Sequence, residues 1–145
     1  MYTRVNVKLT SSGKLPQYQT AGSSGVDLHA DVAEPVTVKA GQRLMVSSGV
    51  ALEMPSGLEA QVRPRSGLAL KKGITVLNSP GSIDSDFRDT VQVILFNSSN
   101  EDFVVNPGDR IAQLVFAPVV RVTFVKTEVL SDTERGLKGF GSSGV

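Results

Sequence analysis

Apolar residues recur at every second position through most of this chain, and few folds accommodate that pattern. Val5, Val7 and Leu9 alternate with Arg4, Asn6 and Lys8. Val91, Val93 and Leu95 alternate with Thr90, Gln92 and Ile94, a segment apolar on much of both faces, and Val120, Val122 and Phe124 alternate with Arg121 and Thr123. Successive side chains of a strand point to opposite faces, so period two marks a strand half-buried in a sheet. Shorter candidates are Val26–Ala30, Val36–Val38, Arg43–Val46, Val50–Met54, Leu58–Val62, Ile74–Leu77, Phe103–Val105 and Arg110–Phe116. Between them stand turn formers: Lys39-Ala40-Gly41, Pro55-Ser56-Gly57, Asn78-Ser79-Pro80-Gly81, Asn97–Asn100 and Asn106-Pro107-Gly108-Asp109. Short strands at this spacing predict an all-β sandwich or barrel. Only Ser66–Lys72, bounded by Gly73, reads as a brief helix.

At 145 residues the chain fits one domain with one core. From Ser131 to Val145 the composition changes to SDTERGLKGFGSSGV, with glycines at 136, 139, 141 and 144. Glycine removes the packing that pins a backbone, so residues 131–145 are expected to form a mobile arm on a body of residues 1–130. Arg135 and Phe140 are out of place in a solvating linker. A large aromatic on a glycine-hinged arm suits a lid that orders over a ligand.

Several chemistries are excluded by the residues at hand. There is no cysteine, which removes disulfides, thiol nucleophiles and thiolate-bound zinc. One histidine, His29, leaves no room for a His-based triad or a multi-His metal site, and as a strand residue it is expected at a surface or interface. A net charge of +1 with scattered Lys and Arg gives no footprint for nucleic acid, so the expected partner is small. No segment approaches the ~20 apolar residues of a membrane span, and the amino terminus lacks an apolar targeting stretch. The expected location is a reducing intracellular one, the cytoplasm, or the nucleus in a eukaryote.

The run GSIDSDFRD at 81–89 sets two carboxylates two positions apart, with an aromatic and an arginine after them. On an extended chain Asp84 and Asp86 would share a face. An acidic pair beside an aromatic platform suits an enzyme that holds a nucleotide and activates water.

Four more strings accompany it: AGSSGVDLHA (21–30), RPRSGLAL (63–70), PGDRIAQLVF (107–116) and RGLKGFGSSG (135–144). In this order and at these distances the five strings closely resemble the motifs of the all-β deoxyuridine triphosphatase (dUTPase) family, from about Leu15 to Gly144. The resemblance implies a jelly-roll-like β-barrel or sandwich with one short helix and a flexible C-terminal arm. It also implies a homotrimer with shared sites that hydrolyses dUTP to dUMP and pyrophosphate by water attack on the α-phosphorus, which keeps uracil out of DNA and supplies dUMP for thymidylate synthesis.

The residue roles come from the same resemblance. Asp84 matches the carboxylate that holds the attacking water; Asp86 is expected only to make a local salt bridge or turn bond. Mg²⁺, bound by the substrate phosphates and water, matches a chain without His or Cys clusters, with Asp27 reaching the ion through its water shell. Arg65, Ser66 and Gly67 match the phosphate grip, where a guanidinium fork, a hydroxyl and backbone N–H groups face one anion. Gln113 matches an amide donor to the phosphates, while Ile111, Leu114 and Val115 are expected in the core. The main chain from Asn78 through Gly81 and Ile83 matches the hairpin that reads uracil. Phe87 would lie against the deoxyribose, and Phe140 would stack on the base. Arg135, Gly141, Ser142, Ser143 and Gly144 would close over the phosphates.

The chain departs from the family pattern at three places: Phe87 replaces the usual Tyr, Asp89 a Gly, and Lys138 a Gly. Asp89 raises the question whether the backbone there needs φ > 0. Two other readings stand beside this one: a deoxycytidine triphosphate deaminase of the same fold, and a non-catalytic module that keeps the nucleotide pocket.

Overall fold

The computed structural model describes residues 3–144. Ten strands and one helix form in the order β1 (Asn6–Leu9), β2 (Gly25–His29), β3 (Val36–Val38), β4 (Arg43–Glu53), β5 (Leu58–Arg63), α1 (Ser66–Lys72), β6 (Ile74–Val76), β7 (Gly81–Ile83), β8 (Thr90–Asn97), β9 (Phe103–Val105) and β10 (Arg110–Pro118). Two four-stranded antiparallel sheets, β1-β4-β8-β6 and β2-β10-β5-β7, enclose one core, and β3 pairs with β9 beside them. The all-β class holds. The sheets do not close into a barrel, because each keeps two edge strands.

Alternation selects the core as expected. Val91, Val93 and Leu95 of β8 face Val46, Val50 and Leu52 of β4 and, from the other sheet, Val26, Leu28, Val62 and Leu114. Each such side chain contributes about 1.5–3 kcal/mol on burial.

Four differences from the sequence reading have physical causes. The segments expected at 43–46 and 50–54 merge into one eleven-residue strand that ends at Glu53, interrupted by a register shift between Ser47 and Ala51. Gly49 sits in that shift at φ 68, and a Cβ there would lie 2.8 Å from both Gly13 Cα and Thr10 Oγ1, so only glycine fits. A short strand, β7, forms within the carboxylate run and pairs with β5. Val120–Phe124 forms no strand. The last backbone bond to the body is Val119 N–H to Gly57 O, 2.9 Å, after which Val120, Val122 and Phe124 are 85, 66 and 93% exposed. Alternation supplies two faces but no ladder partner, and both neighbours of β10 are already taken by β2 and β5. Finally, Ile111 and Leu114 join the core but Val115 does not, since it follows Leu114 onto the opposite face.

Helix α1 ends where expected. Gly73 adopts the left-handed conformation and returns its N–H to Ala69 O, with Lys71 and Lys72 in the last turn.

Candidate active site

Three segments far apart in sequence meet on the outer face of the β2-β10-β5-β7 sheet. Asp27 of β2 stands opposite Gln113 of β10, which stands opposite Arg63 of β5. Arg65, two residues past Arg63, folds back so that its Nε donates to Asp27 Oδ1 at 3.1 Å. Asp27 Oδ2 lies 3.5 Å from Arg110 Nη1. Both carboxylate oxygens therefore face guanidinium groups. The Arg110 carbonyl also accepts from Arg65 Nη1 at 3.3 Å, which leaves Arg65 Nη2 without a partner among the described residues.

Gln113 braces the same corner, its amide nitrogen donating to Pro64 O at 3.0 Å and keeping its second N–H. Its carbonyl end occupies the space that a Cβ on Gly25 would need. Gly25 was not singled out from sequence; its signal is a glycine at the first residue of a strand, where close backbone approach is one of few reasons for it. Ser66 and Gly67 follow Arg65 into the first turn of α1, and nothing lies within 4 Å of where a Gly67 Cβ would sit. Arg65, Ser66 and Gly67 thus form an open cationic and N–H-bearing ledge beside Asp27.

A cleft of about 400 Å³ adjoins this ledge, lined by Lys14, Leu15, Gln17, Gln19, Asp27 and His29. His29 is half-buried in the wall of this cleft. Burial chiefly, then Lys14, Arg110 and Arg65, hold its pKa below the ordinary 6.5, against the opposing pull of Asp27. Its imidazole therefore favours the neutral form more than a free histidine does.

The carboxylate run is elsewhere. Gly81 is buried against β5, with Asn78 Nδ2 3.1 Å from where its Cβ would be, so Asn78 folds over β7. Asp84 follows β7, and the chain then turns, closed by Phe87 N–H to Asp84 O at 3.2 Å. The extended geometry expected for Asp84 and Asp86 is therefore absent, because two residues of a turn do not obey strand alternation. Asp86 makes no ion pair or hydrogen bond among the described residues, contrary to the local bond expected of it. Arg88 holds the turn instead, Nη1 donating to Ser85 O at 2.7 Å and Phe87 O at 3.2 Å. Asp89 needs no positive φ; its Oδ1 accepts Thr90 N–H at 2.7 Å and so starts β8.

Asp84 lines a separate cleft of about 270 Å³ with Gly57, Leu58, Glu59, Ser85, Asp86, Val119 and Arg121. Register gives its separation from the grip. Ile83 pairs with Ala60, so Asp84 lies beside Glu59, and Arg65 is six residues further along an extended chain, a distance of roughly 20 Å. One chain brings Asp27, Arg65, Ser66, Gly67 and Gln113 together and leaves Asn78, Ile83, Asp84 and Phe87 apart. The arm is a third piece: Phe140 is fully exposed, and Arg135 Nε is tied to Lys138 O at 2.9 Å within the arm itself. Gly141, Ser142 and Ser143 lie in its exposed final turns.

Fold and site define the class, an all-β sandwich with an arginine–serine ledge on one sheet and a carboxylate turn on the same sheet's far edge. The dUTPase family model matches residues 11–144. The deoxyuridine 5'-triphosphate nucleotidohydrolase of Chlamydia pneumoniae is 54% identical over 138 residues, spanning 94% of this chain and 95% of that protein. The protein of that name from Treponema denticola is 51% identical over 141 residues, spanning 97% and 98%. A mutant of the Staphylococcus bacteriophage 80alpha dUTPase, solved with dUpNHpp, superimposes with a TM-score of 0.88 over 98% of this chain and 99% of that one. Its 24% identity speaks for the fold alone. The chain belongs to the dUTPase family.

Proposed function

We propose that this chain is a dUTP diphosphatase that works as a homotrimer and hydrolyses dUTP to dUMP and pyrophosphate by water attack on the α-phosphorus. One observation carries the reading: Asp27, Arg65 and Gln113, drawn from three distant strings, meet as a single contact set beside the open Ser66–Gly67 turn. Its product is dUMP, available for thymidylate synthesis, and its effect is less uracil in DNA. A cytoplasmic location belongs to the same reading.

Arg65 presents its unengaged Nη2 to phosphate oxygen, Ser66 adds a hydroxyl, and the absent side chain of Gly67 lets a phosphate approach the backbone. Asp84, exposed at the start of its turn, accepts a hydrogen bond from the attacking water and takes its proton late. The 78–87 segment offers main-chain groups to uracil. Cytosine carries the opposite donor pattern at its fourth position and would leave buried groups unpaired, a penalty of ~10⁴ or more. The extra methyl of thymine would overpack the same close-fitting backbone. Phe87 packs on the deoxyribose where a 2′-hydroxyl would need room, and keeps that role without a phenol. Phe140 stacks on the base while Arg135, Gly141, Ser142, Ser143 and Gly144 close over the phosphates.

The donor set fits Mg²⁺ that arrives with substrate. Among the described residues no three His, Asp or Glu side chains converge, and the carboxylate of the grip already serves two guanidinium groups. An ion held by triphosphate oxygens and water needs only Asp27, reached through a water. When bound it offsets the phosphate charge that repels an attacking oxygen.

The separation of roughly 20 Å between Asp84 and Arg65 in one chain supports sites shared between subunits, with the ledge of one facing the carboxylate turn of another. The exposed apolar row Val120, Val122 and Phe124 supports the same assembly, since a neighbouring copy gives it a surface to cover. The test is pyrophosphate release from dUTP with Mg²⁺. Asp84→Asn is expected to lose ~10²–10⁴-fold in turnover with nucleotide binding retained; equal rates in the two proteins refute the role of Asp84. Ammonia released from dCTP would instead identify a deaminase.

A further inference from the structure

Arg110 has no part in the chemistry above, and simple alternation would hide it. Residues 110 and 113 are an odd number apart, so a regular strand would send them to opposite faces. The register between β10 and β2 runs Arg110↔His29 and then Ala112↔Leu28, skipping Ile111. That bulge turns two consecutive residues inward, Ile111 at 2% and Ala112 at 0% exposure. Arg110 is thereby re-aimed to the face that carries Asp27, His29 and Gln113.

There it makes two connections. Its side chain supplies the second cation to Asp27, and its carbonyl accepts from Arg65 Nη1. With Nε on Asp27 and Nη1 on residue 110, the plane of the Arg65 guanidinium is fixed and its Nη2 group is left open. The Asp27 side chain is only 16% exposed, so its charge needs compensation from protein groups. Without Arg110 it would rely on Arg65 alone, and that tighter pair would compete with the phosphates for the same guanidinium.

We propose that Arg110 is a positioning residue that shares the charge of Asp27, keeping Arg65 oriented yet available to the triphosphate. The substrate named here rests on the dUTPase reading. Arg110→Gln is expected to raise KM for dUTP roughly tenfold with kcat little changed, and Arg110→Lys, which keeps charge but loses the planar fork, to recover part of it. The deciding measurement is a cycle with Asp27→Asn. If Arg110 acts through Asp27, adding Arg110→Gln to Asp27→Asn changes KM less than about twofold. Full multiplication of the two effects overturns the proposal, because the arginine then acts on phosphate directly or on the fold at large. Should Arg110→Gln fail to fold, the cycle with Arg110→Lys decides by the same criterion. A wild-type protein inert toward dUTP removes the functional reading separately. Calorimetric titration of the same four proteins with inorganic triphosphate then decides the role of Arg110, and equal affinities across the set overturn it.

Discussion

At the scale of the residue, the site depends on what is missing from a side chain as much as on what is present. Gly25 leaves the space that the Gln113 amide fills, and that amide holds Pro64, the residue before Arg65. Gly25→Ala is therefore expected to push Gln113 off the Pro64 carbonyl, at a cost of about 1–3 kcal/mol from overpacking. Kinetics should show a several-fold rise in KM for dUTP, and chemical denaturation the lower stability. An unchanged KM would mean that Gln113 does not brace the grip. Of the positions assigned from sequence, Asp27, Arg65 and Gln113 lie together. Gly25 and Arg110 were illegible because the first acts by absence and the second through a bulge that breaks the alternation used to read faces.

At the scale of the element, one buried amide does more for the sandwich than its turn-forming composition suggests. Asn97, read from sequence as the start of a turn, is the fully buried last residue of β8. Its Nδ2 donates to Val38 O of β3 at 2.9 Å and to Glu101 O at 2.7 Å, while Oδ1 accepts from Ser99 N–H and Ser99 Oγ at 3.0 and 2.8 Å. Its own backbone closes the turn after β3, pairing with Gln42 O and Gly41 N–H. Asn97→Ala strands several of these groups, and unsatisfied buried partners together with lost bonds should cost about 2–4 kcal/mol in urea denaturation. A loss below half a kilocalorie would show that water reaches the loop and replaces the amide. The two irregularities of the sheets, at 47–51 of β4 and at Ile111 of β10, matter for different reasons: the first lets a loop pack closely on Gly49, and the second delivers Arg110.

At the scale of the whole molecule, the pieces of the proposed site remain apart. The ledge, the carboxylate turn and the arm belong to one chain but to three separate places on it. Beyond Val119 no residue up to 144 is buried, and the hydrogen bonds of residues 131–144 stay within the arm. Deleting residues 131–145 is accordingly expected to leave the subunit count in light scattering unchanged, because the covering row 120–124 remains, and to lower turnover by at least tenfold through loss of the closing groups. A truncated protein of full activity would remove the arm from the mechanism, and an active monomer would remove shared sites.

The sequence alone determined the strand class, the helix with its glycine stop, the core face of β8 and the family, because each rests on local periodicity, turn chemistry or ordered short strings. Tertiary structure decided the rest. Whether residues 120–124 pair depends on an edge being free, which face Arg110 takes depends on a bulge set by its neighbour strand, and whether Asp84 meets Arg65 depends on register across a sheet. Those are relations between distant segments, and alternation along one segment carries no record of its partner.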